Sequence, residues 1–303
     1  MPIVLVAGAS GMLGYTLLRH LPANGDFEVH GTLRGAALPG GYPTPPGVRL
    51  HTGIDATDPQ GLFALIERLK PDVVINCIGL IKQLEQAHRP AAAIAINALF
   101  PHQLAAQCSL SGSRLIHIST DCVFAGTQGS YRESDSCDAD DLYGRTKRLG
   151  EVDYDGHLTL RTSLIGHELT SRVSLVDWFL SQTGMVRGFT SAIFSGLPTV
   201  EVARVLKMFI LPRRDLQGLF HLSVNAIDKD RLLRLVAEAY GHDVPIMQTD
   251  TPKIDRSLDS TRLRDISGYR PPVWETLVAD MHEDYLQGYA DFRQPLRSTN
   301  ETA

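Results

Sequence analysis

Ile3-Val4-Leu5-Val6-Ala7-Gly8-Ala9-Ser10-Gly11-Met12-Leu13-Gly14 is the stretch whose reading decides the fold. The run from Ile3 to Ala7 is apolar without alternation, the mark of a strand covered on both faces. Glycines follow at a three-residue spacing, Gly8, Gly11 and Gly14, and a helical pattern opens at Met12 and runs to Leu21. A strand, a glycine turn and a helix in that order make an anion site. One glycine allows the tight turn, one lets backbone approach a pyrophosphate, and one lets helix and strand pack closely. The first helical N–H groups, those of Met12 and Leu13 among them, then face the anion with the positive end of the helix dipole.

Outward from this unit the pattern repeats. Strands are expected at 27–33, 48–52, 72–78, 114–119 and 158–165, and a helix at 59–69 capped by Asp58 with Pro59 in its first position. The segment 39–46, rich in Gly and Pro, replaces a helix with a loop. A helix over 91–110 contains Pro101, which should kink or break it. Strands separated by crossovers pair in parallel, so the fold class is α/β, a doubly wound parallel sheet over residues 1–166. Beyond Gly166 the alternation loosens into helices near 173–182, 200–210, 230–240 and 273–287, with a short strand at 219–224. Residues 167–296 read as a smaller C-terminal α/β substrate lobe, some of whose segments can return to the first domain, and 297–303 as a frayed tail.

Composition narrows the class. At 303 residues, 43 % hydrophobic and 21 % charged, the chain can bury a large core, which excludes disorder and small stapled scaffolds. A net charge of −5 without basic blocks speaks against nucleic acid or an anionic membrane as partner. No apolar run is long enough to span a bilayer. Cys77, Cys108, Cys122 and Cys137 are scattered without zinc-ligand spacing, which favours free thiols in the cytoplasm, and no carboxylate cluster has metal-ligand spacing.

Two stretches carry chemistry. Where the second strand ends, Gly31-Thr32-Leu33-Arg34 offers a guanidinium and no carboxylate, which favours NADP over NAD. Asp55, after the third strand, is a candidate acceptor for the adenine amino group, or an ordinary turn aspartate. In Tyr143-Gly144-Arg145-Thr146-Lys147 a phenol and an ammonium stand four apart, on one helical face. The ammonium should favour the phenolate and bring its pKa toward working pH, so that Tyr143 can give a proton to a carbonyl oxygen as hydride reaches carbon. A third group belongs at the end of the preceding strand, Ile116-His117-Ile118-Ser119-Thr120-Asp121. Thr120 is the candidate, and Ser119 the fallback because neighbouring strand residues face opposite ways.

Taken together, the glycine triplet, Ser119-Thr120-Asp121-Cys122-Val123-Phe124, Tyr143-Gly144-Arg145-Thr146-Lys147, Gly150-Glu151 and Leu160-Arg161-Thr162-Ser163 resemble the extended short-chain dehydrogenase/reductases, and within them the dTDP-4-dehydrorhamnose reductase branch. The likeness runs in order from Pro2 to about Leu286 and takes in Phe194-Ser195-Gly196-Leu197-Pro198-Thr199, Gly218-Leu219-Phe220-His221-Leu222-Ser223 and Arg256-Ser257-Leu258-Asp259. It implies a Rossmann-type NAD(P)-binding fold and an NADPH-dependent reductase of a 4-keto-6-deoxy nucleotide sugar. It also implies Tyr143 as the acid, Lys147 on the nicotinamide ribose and Thr120 on the keto oxygen. Asn97 matches the branch's asparagine on the neighbouring helix, Asn76 lies where the cofactor passes, and homodimerisation is an expectation by analogy.

The chain departs from the branch at Cys122, where Tyr is usual, and at Leu164, where Trp is usual; both positions lie near the sugar in that family. Cys122 stands two residues beyond Thr120, as a cysteine does in GDP-fucose synthase-like enzymes. An epimerase-reductase with Cys122 as base and a histidine such as His167 is therefore one alternative, and a non-catalytic NADP-binding regulatory subunit is the other. A diphosphate also calls for cations, for which Lys82, Arg172, Arg187 and Arg256 are candidates.

Overall fold

The structure, a computed structural model, describes residues 1–82 and 85–292, and the tail expected to fray lies outside the described residues. Seven parallel strands form the central sheet: β1 (Ile3–Ala7), β2 (Glu28–Thr32), β3 (Val48–His51), β4 (Val73–Asn76), β5 (Arg114–Thr120), β6 (Leu158–Thr162) and one from the C-terminal half (Gly218–His221). Their spatial order is 3-2-1-4-5-6 with the C-terminal strand outside β6. The order reverses between β1 and β4, so their carboxyl ends open a crevice, the place where ligands bind in such sheets. The strand expected at 219–224 thus pairs with β6, Phe220 opposite Leu160 and His221 opposite Arg161.

The doubly covered sheet is visible in β1 itself. Val4 and Val6 enter one apolar cluster, packed with α1 (Met12–His20), while Leu5 and Ala7 enter the other, beneath α2 (Gln60–Leu69). Asp58 does not cap α2. Pro59 holds the cap position without a side-chain bond, and Asp58 forms a bridge with Asp55 instead. Nor does Pro101 break its helix. A short α3 (Pro90–Ala93) passes into a π-helical stretch (Ile94–Leu99) and then α4 (Phe100–Ser111), the Phe100 N–H donating to the Ala95 carbonyl. Widening just before the proline relieves the missing donor and the ring clash that an α-helix would suffer there.

Between β5 and β6 lies α5 (Leu142–Leu149), and after β6 come β7 (Leu164–Ile165), α6 (Leu175–Leu180), β8 (Val186–Phe189), β9 (Ala192–Phe194), β10 (Leu197–Pro198), α7 (Thr199–Val205), β11 (the strand Gly218–His221), β12 (Ile227–Asp228), α8 (Lys229–Tyr240), β13 (Ile246–Thr249), β14 (Ile254–Asp255), α9 (Thr261–Ser267) and α10 (Trp274–Gly288). Apart from α5 and β14, these pieces contribute to the apolar cluster that covers Val4 and Val6, which also holds Phe194, Val202, Leu232 and Leu277. A buried polar tie joins the same elements: the Thr16 hydroxyl of α1 donates to Thr199 Oγ1 at 3.0 Å and lies 3.1 Å from the Tyr289 hydroxyl. Among the described residues no helix is long and apolar enough to cross a membrane.

Candidate functional site

The glycine cradle sits at the carboxyl end of β1 and is built by close backbone approach. Gly8 has φ +85°, and a Cβ there would meet the Ile78 side chain at 2.8 Å. At Gly14 a Cβ would lie 2.2 Å from the Gly8 carbonyl oxygen, so this glycine lets α1 rest on the turn. Gly11 caps α1 without a side-chain bond, and the first turn holds no acidic residue. The turn is fastened to the end of β2, where the Gly8 N–H donates to Thr32 Oγ1 at 3.2 Å and the Ala9 N–H to the Thr32 carbonyl at 3.0 Å. Met12 and Leu13 open the helix, the Met12 sulfur 3.3 Å from where a Cβ on Gly166, beyond β7, would lie. An undecorated helix N-terminus over a glycine turn fits a pyrophosphate.

Arg34 is exposed just beyond β2, near enough to Asp55 to help lower its carboxyl pKa. The larger cause is Asp55 Oδ1 itself, which accepts from both the N–H and the hydroxyl of Thr57, an Asx turn. Asn76 is wholly buried at the end of β4. Its Oδ1 accepts from the Ile78 N–H at 3.0 Å and its Nδ2 lies 3.0 Å from His117 Nδ1. Both side-chain groups of Asn76 are therefore taken up within the protein.

The polar groups of the second motif gather one strand beyond β4. Thr120 ends β5 with its hydroxyl accepting the Cys122 N–H at 3.1 Å, and within reach of the Tyr143 phenol. Ser119 points the other way and donates to Glu151 Oε1 at 2.8 Å, so the alternation of the strand selects Thr120 for the crevice. Tyr143 and Lys147 stand on α5, which the Asp141 carboxylate caps by accepting the Gly144 N–H at 2.7 Å. Lys147 is buried and donates from Nζ to the Ile118 carbonyl at 2.8 Å.

Electrostatics here differ from the expectation. Burial raises the Tyr143 phenol well above its ordinary value, Cys122 adds to the rise, and Thr120 opposes it by hydrogen bonding. Lys147 does not bring the phenol down. Its own pKa is lowered to about 8 by burial, with Glu151 pulling it up. An ammonium does stand over the ring, that of Lys82, whose Nζ lies 5.5 Å from the Tyr143 centroid and 2.6 Å from Asp141 Oδ2. Cys122 is pushed up to about 11 by burial and by Asp121.

Several contributors escape a motif reading. Gly144 lets α5 lie against the turn after β5, since a Cβ there would meet the Cys122 carbonyl oxygen at 2.3 Å. Gly150 does the same against Asn97, whose carbonyl oxygen would be 2.0 Å away. The Asn97 amide in turn pins the loop after β4, accepting the Leu80 N–H at 2.8 Å and donating to its carbonyl at 3.1 Å. Asp141 was legible as an N-cap three residues before Gly144. Lys229, at the start of α8, was not. It and Arg256, which donates to the Phe124 carbonyl at 2.7 Å, both act electrostatically on buried Asp121. Leu164 is half-buried on β7 beside Leu197, and Arg187 is exposed on β8 opposite Met247. His167 is buried, with Nδ1 2.6 Å from Asp177 Oδ1 and Nε2 2.7 Å from the Tyr240 hydroxyl.

Known proteins with this architecture can now be set beside it. The chain is 26 % identical to the spore coat polysaccharide biosynthesis protein SpsK of Bacillus subtilis, over 94 % of this chain and 96 % of that protein. It is 38 % identical to a dTDP-4-dehydrorhamnose reductase of Streptomyces griseus over 50 % of this chain, a match that spans less than half (44 %) of that relative. In structure it is similar to a dTDP-4-dehydrorhamnose reductase of Bacillus anthracis in complex with NADP, with a TM-score of 0.78 at 19 % identity, covering 94 % of this chain and 99 % of that one. This last likeness bears on the fold alone. The model of the RmlD substrate binding domain matches residues 1–286, nearly the whole chain, and the protein accordingly belongs to the RmlD family.

Proposed function

We propose that the protein is an NADPH-dependent oxidoreductase that reduces the C4 carbonyl of a 4-keto-6-deoxy nucleotide sugar, with Tyr143 as proton donor. The observation that carries this reading is the convergence of the Thr120 and Tyr143 hydroxyls with the Lys147 ammonium at the carboxyl end of β5, beside a glycine cradle that fits a dinucleotide. Names of relatives support the substrate class, and the absence of a carboxylate at the end of β2, together with exposed Arg34, supports NADPH over NADH.

NADPH, when bound, supplies the hydride. The protein's residues do the rest. Gly8, Gly11 and the first turn of α1 would hold the pyrophosphate, and Lys147, charged below about pH 8, would hold a ribose hydroxyl. The raised phenol of Tyr143 is protonated at neutral pH, the form that a ketone reduction consumes. It delivers that proton to the oxygen on which charge develops, while the Thr120 hydroxyl, which accepts the Cys122 N–H and donates to Asp121 Oδ1 at 3.2 Å, turns its proton from Asp121 to the same oxygen. Lys82, Lys229 and Arg256 surround Asp121 and Cys122 with positive charge suited to a diphosphate.

Two features argue against epimerisation. The Cys122 thiol, near 11, is protonated at neutral pH, and both His167 ring nitrogens are engaged by Asp177 and Tyr240. Free thiols at all four cysteines suit the cytoplasm, where nucleotide sugars are made. The deciding experiment follows NADPH absorbance with a panel of 4-keto sugar nucleotides. Tyr143→Phe should lower turnover by about a hundredfold or more with NADPH affinity retained. Full activity in that variant removes Tyr143 from the chemistry, and tight NADPH binding by the wild type without any turnover assigns the protein a regulatory role.

A further inference from the structure

Behind Thr120, Tyr143 and Lys147 lies a buried charged cluster that the chemistry of the reduction does not employ. Glu151 lies one turn beyond Lys147, its side chain fully buried. Arg161 of β6 meets it as a fork, Nε to Oε1 at 2.7 Å and Nη2 to Oε2 at 2.8 Å. Ser119 donates to Oε1 at 2.8 Å and Arg148 to Oε2 at 2.5 Å, so four donors fill the carboxylate. Arg161 continues outward, its Nη1 3.3 Å from His221 Nε2 on β11 and its guanidinium 5.3 Å from the Phe124 ring in the loop after Thr120.

A buried ion pair adds little net stability, because desolvating two charges offsets their attraction. Its value lies in geometry. Glu151 follows the Gly150 cap of the helix that carries Tyr143 and Lys147, Ser119 is the chain neighbour of Thr120, and Arg161 is rooted in the next strand. One carboxylate therefore fixes α5 against the end of β5.

We propose that Glu151, held by Arg161, is a positioning residue that sets Tyr143 and Lys147 against Thr120. This rests on the reductase reading of the same site. Its charge reaches Lys147, raising a pKa that burial otherwise lowers. The other titratable groups around Lys147 are Cys77, past the end of β4, and His117 on β5, which burial keeps neutral. Around Glu151 stand Arg161, Arg148, Cys137 and His221, whose pKa burial lowers.

The test compares Glu151→Gln, Glu151→Asp and Ser119→Ala with the wild type, measuring NADPH affinity against pH by fluorescence titration, kcat, and melting temperature. Glu151→Gln removes the charge and should move the alkaline loss of NADPH affinity about one pH unit lower, with kcat down about tenfold or more. Glu151→Asp keeps the charge but falls one methylene short, and should restore the pH limb while kcat stays low. A Glu151→Gln protein that merely melts lower, with wild-type pH limb and kcat, overturns the proposal. Should Glu151→Gln not fold, Ser119→Ala decides: reduced kcat with unchanged melting supports the brace, and unchanged kcat overturns it. The NADPH limb is read without turnover, so a wrong choice of substrate fails separately, through Tyr143→Phe.

Discussion

Gly11 and Gly14 look alike in the sequence, yet alanine at each should do opposite things. A Cβ at Gly14 would lie 2.2 Å from the Gly8 carbonyl oxygen and 2.9 Å from Ala9 Cα and Gly8 C, where real Cβ atoms essentially never come within 3.0 Å. All three atoms are backbone, so no side chain can swing aside. The start of α1 must back away from the turn, at a cost of about 2 kcal/mol for overpacking, or a fall of about 3 °C in Tm for a chain of this size. At Gly11 the backbone is extended, φ −77° and ψ 166°, and a Cβ meets nothing nearer than the Gly8 carbonyl oxygen at 3.4 Å. Gly11→Ala should fold as well as the wild type, or gain about 0.5 kcal/mol from a stiffer unfolded chain. Its methyl group would stand where the pyrophosphate comes closest, so NADPH should bind at least about tenfold more weakly, or about 1.4 kcal/mol. Thermal melts and NADPH titrations on both variants separate stability from binding. Undiminished NADPH affinity in a well-folded Gly11→Ala protein would show that the cradle does not hold the cofactor.

Arg34→Ala should weaken NADPH binding much more than NADH binding, and equal losses in parallel titrations would refute the cofactor choice. Cys122→Ser should retain wild-type turnover and give a product of unchanged configuration by NMR, and alkylation of the wild-type thiol should be slow at neutral pH; collapse of activity would give the thiol a role. NADPH affinity should be level below about pH 8 and decline as the pH rises through that value, where Lys147 loses its proton; a flat profile to higher pH would detach Lys147 from the cofactor.

What could be read from the chain was local. Strand β1, its glycines and α1 follow one another without a gap, and each is specified by its own residues. Tyr143 and Lys147 share a helix face for the same reason, and the strand period separates Thr120 from Ser119. Features that depend on distant residues were not legible. Pro101 signals disruption on its own, but the chain absorbs it in a π-helical turn that packs on α5, where Gly150 makes room for the Asn97 carbonyl. The strand at Gly218–His221 carries no sign of its destination, because pairing with β6 rests on what flanks β6 rather than on its own pattern. Asp58 had the composition of a cap, yet the turn that brings it to Asp55 aims it elsewhere.

The same limit explains the phenol. Spacing shows that an ammonium stands one helical turn from Tyr143 but not where its Nζ goes, and Lys147 turns to the Ile118 carbonyl. Burial then acts on both groups by disfavouring the charged form, which raises an acid such as tyrosine and lowers a base such as lysine. Their ordinary values lie close together, near 10; in this fold Tyr143 moves up and Lys147 moves down to about 8. As pH rises, the lysine therefore loses its charge before the tyrosine loses its proton. With Tyr143 as the proposed proton donor and Lys147 as the proposed anchor of the cofactor, the alkaline limit of kcat/KM for NADPH should track Lys147 and move with Glu151→Gln. An alkaline limit left in place by that substitution would return the titration to Tyr143.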